Sequence, residues 1–309
     1  MADSQCPGPA PTVYHRPVLV AQVVEGLQVH PGGRYIDCTL GEGGHAQAIL
    51  EASTPNGYLL GLEVDPDSLE VARQRLAPFG ERALLVRASF AHLEEVARHY
   101  GWQGVDGILF DLGLSRRLLE ASGRGFSFQR EEPLDMRFDP RSPLTAHTIV
   151  NTWPARELAR IFAQYGDERR AGAIARAIVQ ARPITSTTHL AQVVAQVVGR
   201  GKGYRHPATR VFQALRIAVN GELDALEAGL TQAIPLLRPG GRLVVIAYHS
   251  GEDRVVKQVL RREAQRLTVG IVTKKPITPS REEVRTHREA RSARLRVAQR
   301  LAAAPGAAL

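Results

Sequence analysis

Tyr35-Ile36-Asp37-Cys38-Thr39-Leu40-Gly41-Glu42-Gly43-Gly44-His45, followed sixteen residues later by Gly61-Leu62-Glu63-Val64-Asp65, decides the fold. The apolar run Tyr35–Leu40 reads as a buried parallel strand that stops on four loop residues, three of them glycine. A helical pattern (Ala46, Ala48, Ile49, Leu50) begins at once. A strand, a glycine loop and a helix in succession aim backbone N–H groups and a positive helix end at a ligand. Glycine lets that ligand come close, because no Cβ stands in the way. A second apolar strand, Tyr58–Val64, then delivers Glu63 and Asp65 where an acidic residue accepts hydrogen bonds from a ribose. The stretch is a nucleoside-binding βαβ unit.

Gly41, Gly43 and Ala46 also satisfy the dinucleotide fingerprint, a weak signal when it stands alone. Two features favour S-adenosylmethionine instead. Asp37 lies inside the first strand, where methyltransferases commonly carry an acid for the methionine ammonium, and the loop holds no Arg or Lys to meet a pyrophosphate. A dinucleotide or a purely structural glycine turn are the alternatives.

Working outward, 309 residues suffice for one large α/β domain and a smaller one. Hydrophobic content of 44% and charged content of 23% are those of a globular protein. The net charge of +9 is uneven: residues 254–300 hold fourteen Lys or Arg against four Glu, so the remainder is close to neutral. Such a block suggests a polyanionic partner; a solvated amphipathic helix is the plainer reading. Cys6 and Cys38 make neither a disulfide framework nor a metal site, which points to a reducing cytoplasm. No signal peptide or membrane-length apolar run is present, so neither export nor a membrane location is expected.

Residues 1–12, rich in Pro, Ala and Gly, read as a disordered leader. His15-Arg16-Pro17 opens a short helix through Leu27. The α/β alternation continues with a helix over 66–77 started by Asp67 or Ser68, a strand over 83–88 ending at Phe90, a helix to Tyr100, and a strand over 104–112 presenting Asp111 at its carboxyl end. Ligands of open α/β sheets bind beyond those ends, so Asp111 faces the site. Phe90 is placed either against an adenine or in the core.

From Leu114 to about Pro207 the alternation breaks into loop and helix, with helices near 144–151, 155–165, 168–181 and 187–198. The expected organisation is therefore a Rossmann-like domain over 13–113 and 208–309, interrupted by a helical insertion over 114–207. Within the insertion, Arg124-Gly125-Phe126-Ser127-Phe128 and Pro133-Leu134-Asp135-Met136-Arg137 interleave aromatics with arginine, a composition that stacks and grips unpaired bases. A long loop pinned by its own two phenylalanines is the alternative. A helix is expected from His206 to about Leu237, with Arg210, Gln213, Asn220 and Asp224 on one stripe that faces either the cleft or solvent. A fifth strand, 242–248, ends in the polar cluster Tyr248-His249-Ser250-Gly251-Glu252-Asp253-Arg254.

These residues resemble the bacterial small-subunit ribosomal RNA cytosine-N4 methyltransferases, the RsmH/MraW family, over nearly the whole chain. The motifs are His15-x-Pro17-Val18-Leu19, Asp37-Cys-Thr-Leu-Gly-x-Gly-Gly-His45, Asp111-Leu-Gly-x-Ser115, Arg124-Gly-Phe-Ser-Phe128, Pro133-Leu-Asp-Met-Arg137, His206-Pro-Ala-Thr-Arg-x-Phe-Gln-Ala-Leu-Arg-Ile217 and His249-Ser-x-Glu-Asp-Arg254. The resemblance implies a class I S-adenosylmethionine-dependent methyltransferase fold with an inserted helical domain. It implies methylation of a cytidine N4 in 16S ribosomal RNA near the decoding centre, with ribosomal RNA or the assembled small subunit as partner. Cofactor contacts are implied at Gly43, Gly44, His45, Glu63, Phe90 and Asp111. Three positions depart from the family. Arg116-Arg117-Leu118 stands where Ser-Pro-Gln is usual, so Leu118 cannot supply the glutamine's hydrogen bond to the cofactor. Glu63 replaces a frequent Asp, and Gly251 a frequent Leu.

For the chemistry, Asp111 or the carbonyls of its loop are expected to accept a hydrogen bond from the reacting amine; the alternative is that Asp111 only holds the cofactor. His249 is a candidate proton acceptor or phosphate contact, or a satisfied buried histidine. The Asp/Asn-Pro-Pro-aromatic loop of other amino-methyltransferases is absent, and no metal cluster is visible. The competing class is a non-catalytic RNA-binding or assembly protein on the same fold. Oligomeric state is left open.

Overall fold

The computed structural model describes residues 17–199 and 206–302. The leader with Cys6, and His15 and Arg16 of the first motif, lie outside them. Helix α1 (Val20–Leu27) leads into β1 (Arg34–Asp37), which is followed by α2 (Gly44–Ala52), β2 (Tyr58–Glu63) and α3 (Pro66–Leu76). Next come β3 (Ala83–Arg87), α4 (Leu93–His99) and β4 (Val105–Asp111). The start of α3 is fixed by Asp65, one residue before Pro66, whose carboxylate accepts from the Ser68 N–H; the expected caps at 67 or 68 lie inside the helix.

After β4 the chain leaves the sheet for α5 (Arg116–Glu120), α6 (Ala146–Thr152), α7 (Ala155–Gly166), α8 (Ala171–Gln180) and α9 (Thr187–Val198). It returns through α10 (Thr209–Asn220) and α11 (Glu222–Leu236) to β5 (Leu237–Ala247), α12 (Ser250–Gln265), β6 (Val269–Ile271), α13 (Arg281–Thr286) and β7 (Arg294–Arg300). The single helix expected over 206–237 is two helices. Gly221 takes φ +58° between them, a left-handed cap that costs glycine little. Asp224 therefore leaves the stripe it was assigned to.

The seven strands form one mixed sheet in the order β3-β2-β1-β4-β5-β7-β6. Strands β1 to β5 are parallel and β7 runs antiparallel to both neighbours. Order reverses between β1 and β4, so the carboxyl ends of those strands flank the crevice where open α/β sheets bind ligands. One apolar layer covers each face of the sheet, around Ile36, Phe110 and Leu230 on one side and Tyr35, Leu109 and Val244 on the other. A third core, around Phe162, Ile174 and Leu190, holds the helical unit and takes in Val211, Phe212, Leu215 and Val219 of α10. The apolar core of the helical unit thus continues into α10 as far as Val219.

Candidate active site

Two cavities meet at the carboxyl ends of β1, β2 and β4. The smaller, about 120 Å³, is walled by Glu63, Phe90, Leu118, Leu226 and Phe138. The larger, about 490 Å³, is a cleft between sheet and helical unit lined by Gly44, His45, Phe126, Phe128, Gln213, Tyr248 and His249. Gly41 and the run Asp111–Ser115 border both.

The glycine turn and Glu63 are built as one piece. The Glu63 carboxylate accepts the Gly41 N–H at 2.8 Å through one oxygen, and the N–H groups of Val64 (2.8 Å) and Asp65 (2.9 Å) through the other. Burial outweighs these hydrogen bonds and lifts its pKa to about 7. Gly41 holds φ +53° with only the Thr39 carbonyl oxygen, 3.9 Å away, near where a Cβ would stand, and it borders both cavities. Gly43, at φ +79°, faces Leu76 of α3 and is not in either cavity wall. Asp37 is fully buried under the turn, accepts the Thr39 N–H at 3.1 Å, and is likewise outside both walls; burial raises its pKa to about 6. Phe90 lies edge-to-face on Phe110, with centroids 5.5 Å apart, and presents its other side to the smaller cavity. Leu118 adds only apolar surface there.

Asp111 stands at the junction. One carboxylate oxygen accepts from the Tyr248 hydroxyl at 2.9 Å, and the other lies 3.3 Å from His45 Nε2. That second contact is close but not aligned as a hydrogen bond, so both ring nitrogens of His45, which is 5% exposed, are without a partner. His249 caps α12. Its Nδ1 accepts from the Gly251 and Glu252 N–H groups (3.2 and 3.3 Å), and the Glu252 carboxylate returns to the N–H groups of Tyr248 and His249. The tautomer this requires carries its proton on Nε2, 3.1 Å from Glu252. His249 is therefore committed to the backbone through Nδ1, which leaves it poorly placed as a free base. Arg216 and Glu222 form a two-pronged ion pair, 2.8 Å in each arm, in the partition between the cavities.

The residues expected to grip substrate divide. Phe126 and Phe128 reach the cleft wall, Phe126 stacked on Phe138 and Phe128 between His206 and Phe212. Gln213 lines the cleft while donating to the Tyr165 carbonyl at 3.0 Å. Arg210 is half exposed and donates to the Asp167 carbonyl at 3.1 Å. Arg124, Arg137 and Asn220 are each engaged by contacts within the protein. Arg124 pairs with the buried Asp65, contacts Asp67 at 3.3 Å, and donates to the carbonyls of Arg137 and Phe138 at 3.1 Å each. Arg137 is held by Asp135 and by the carbonyls of Pro140 and Ser142. Asn220 clamps the same loop, accepting the Phe138 N–H at 2.7 Å and donating to the Met136 carbonyl at 2.8 Å. These fixed donors satisfy carbonyls of an irregular segment that has no ladder of its own.

Tyr248 was missed as a site residue: its partner Asp111 is 137 positions away, and the signal that finds it is the polar cluster at the end of a strand adjacent to β4. In the basic C-terminal segment, Lys257, Arg294 and Arg296 surround Asp253, Arg262 meets Glu227, and Arg266 meets Glu263. Among the described residues no group of His, Cys, Asp and Glu forms a metal cluster, and no helix is long and apolar enough to cross a membrane.

The paired cavities suit S-adenosylmethionine. An apolar slot with a carboxylate at its rim suits the adenosine, and the buried histidine with unused ring nitrogens suits the polar methionyl end. Fold and site together define a Rossmann-like S-adenosylmethionine-dependent methyltransferase. The chain belongs to the MraW methylase family, whose model matches residues 12–301. It is 52% identical over 306 residues to the ribosomal RNA small subunit methyltransferase H of Thermomicrobium roseum, which covers 93% of this chain and 94% of that protein. The protein of the same name from Geobacter sulfurreducens is 48% identical over 310 residues, with 94% and 100% covered. That from Carboxydothermus hydrogenoformans is 46% identical over 306 residues, with 93% and 98% covered.

Proposed function

We propose that the protein transfers a methyl group from S-adenosylmethionine to the exocyclic N4 of a cytidine in small-subunit ribosomal RNA. The observation that carries this reading is the place of Asp111: its carboxylate borders both the nucleoside-sized slot and the larger cleft, where donor and acceptor would meet. The printed names of the relatives, which are small-subunit ribosomal RNA methyltransferases, support the acceptor.

The donor's sulfonium supplies an electrophilic methyl group; the protein's task is placement. Glu63 would hold the ribose hydroxyls, Phe90 and Leu118 the adenine faces, and His45 the carboxylate of the methionyl end. The amine of cytosine is a poor nucleophile because its lone pair is conjugated into the ring, and it gains positive charge as the new bond forms. A carboxylate that accepts one of its N–H groups stabilises that charge where it develops, which is the role assigned to Asp111. The target base must leave its stack to reach the cleft, and Phe126 and Phe128 offer aromatic surface to receive it. The exposed cations of the C-terminal segment would meet the RNA backbone.

The test is made in cells. Deleting the gene and digesting the small-subunit RNA to nucleosides should remove N4-methylated cytidine, and the wild-type gene should restore it. An unchanged nucleoside profile would overturn the proposed acceptor and favour a non-catalytic role in RNA binding.

A further inference from the structure

The geometry points to Tyr248 as the positioning residue of the transfer, a phenol that fixes the Asp111 carboxylate and the turn behind it at the junction of the two cavities. The inference rests on the role given to Asp111 above and concerns a residue to which no role has been given so far.

Three contacts carry it. The Tyr248 hydroxyl donates to Asp111 Oδ1 at 2.9 Å. Its ring lies over Gly113, where an added Cβ would stand 3.0 Å from Tyr248 Cε2, so the Asp111-Leu112-Gly113 turn is held from above as well as at its carboxylate. Its own N–H donates to Glu252 at 2.7 Å, which ties the residue to the cap of α12. Asp111 is anchored from below by its N–H, which donates to Thr39 Oγ1 at 2.6 Å. Without the phenol, the carboxylate is free to rotate about its side-chain torsions; with it, one oxygen is engaged and the other is directed to the His45 side.

The charged and titratable groups around this carboxylate come from every neighbouring element: Asp37 at the end of β1, His45 of α2, Tyr248 after β5 and Glu252 of α12, with Glu283 of α13 facing the phenol. Burial, and then Asp111 itself, push the Tyr248 pKa far up, so the phenol stays a donor at neutral pH. The phenol's hydrogen bond holds the carboxylate in one orientation, which a ring without the hydroxyl cannot do.

The experiment compares wild type with Tyr248→Phe and Tyr248→Leu. Tyr248→Phe keeps the ring over Gly113 and loses only the hydroxyl. Its single-turnover transfer rate at saturating donor should fall by about tenfold, with donor Kd changed less than the rate. The carboxyl ¹³C chemical shift of Asp111 at neutral pH should change when the hydroxyl is lost, a readout that needs no acceptor. Tyr248→Leu should show both effects and a loss of thermal stability. A Tyr248→Phe enzyme with the wild-type rate and the wild-type Asp111 carboxyl chemical shift, beside a damaged Tyr248→Leu, would reduce Tyr248 to packing and overturn the inference. If the wild type methylates a different acceptor, the functional reading fails while the ¹³C comparison still decides the role of Tyr248.

Discussion

Replacing Arg124 by Ala separates two accounts of the loop that joins the helical unit to the sheet. Arg124 is 13% exposed and its partner Asp65 is 1% exposed, so the ion pair is largely withdrawn from water. Asp65 uses its other oxygen to cap α3 through Ser68, and Arg124 uses its remaining donors on two loop carbonyls. Removing the guanidinium leaves a buried carboxylate half satisfied and two carbonyls without their donor. Breaking a buried pair from one side costs roughly 3–5 kcal/mol; the residual cap on Asp65 argues for the lower figure, about 3 kcal/mol. Urea denaturation should show this as a lower midpoint at unchanged slope. Asp65→Asn keeps the capping oxygen, and the double variant should be more stable than the sum of the single losses predicts. The salt dependence of RNA binding should not change. If Arg124 instead held an RNA phosphate, the logarithmic salt slope would fall by about 0.7 and stability would hardly move; that pair of results would refute the structural reading.

Glu63, with its pKa lifted to about 7, binds a proton in the folded state at pH values where the unfolded chain has released it. It therefore contributes stability below pH 4.5 that is lost as pH rises to about 7, and Asp37 acts in the same direction up to about 6. The ligand-free wild type should lose thermal stability across that window relative to Glu63→Gln, and an opposite slope would contradict the burial. Donor affinity should rise with pH toward 7 in the wild type, by at most about tenfold per unit, since ribose hydroxyls favour the ionised carboxylate; calorimetry at pH 5.5 and 7.5 measures it. Gly125→Ala places a Cβ 2.1 Å from the Pro133 carbonyl at a φ of +75°, and should lower stability by at least about 2 kcal/mol, read from the urea midpoint. Asp111→Asn keeps the shape of the junction and removes its charge. Its single-turnover rate at saturating donor should fall at least tenfold; an unchanged rate with weakened donor binding would leave Asp111 a cofactor contact only.

The nucleoside-binding half of the site was legible because its signals are local. A buried strand, three glycines and an acidic residue at the end of the next strand fall within thirty residues, and Gly41, Glu63 and Asp111 are all found in the cavity walls. The substrate half is less legible, because its composition is ambiguous. Arginine interleaved with phenylalanine suits an RNA-binding surface and equally a long irregular loop that must satisfy its own carbonyls, and in Arg124 and Arg137 the second use prevails. The long helix over 206–237 failed at Gly221, which an apolar periodicity passes over but a left-handed cap exploits. Short elements such as α5, whose Leu118 and Leu119 join the helical core, and β6, which pairs with β7, are too short to show a period. The pairing of Tyr248 with Asp111 depends on β5 lying next to β4, a fact of topology that no local pattern contains.

The most direct test of the central claim is a transfer assay with purified protein, methyl-labelled S-adenosylmethionine, and small ribosomal subunits or their RNA from cells lacking the enzyme. After digestion to nucleosides, the account predicts label in N4-methylated cytidine and in no other nucleoside. Donor binding with the label in a different nucleoside, or in none, would contradict it.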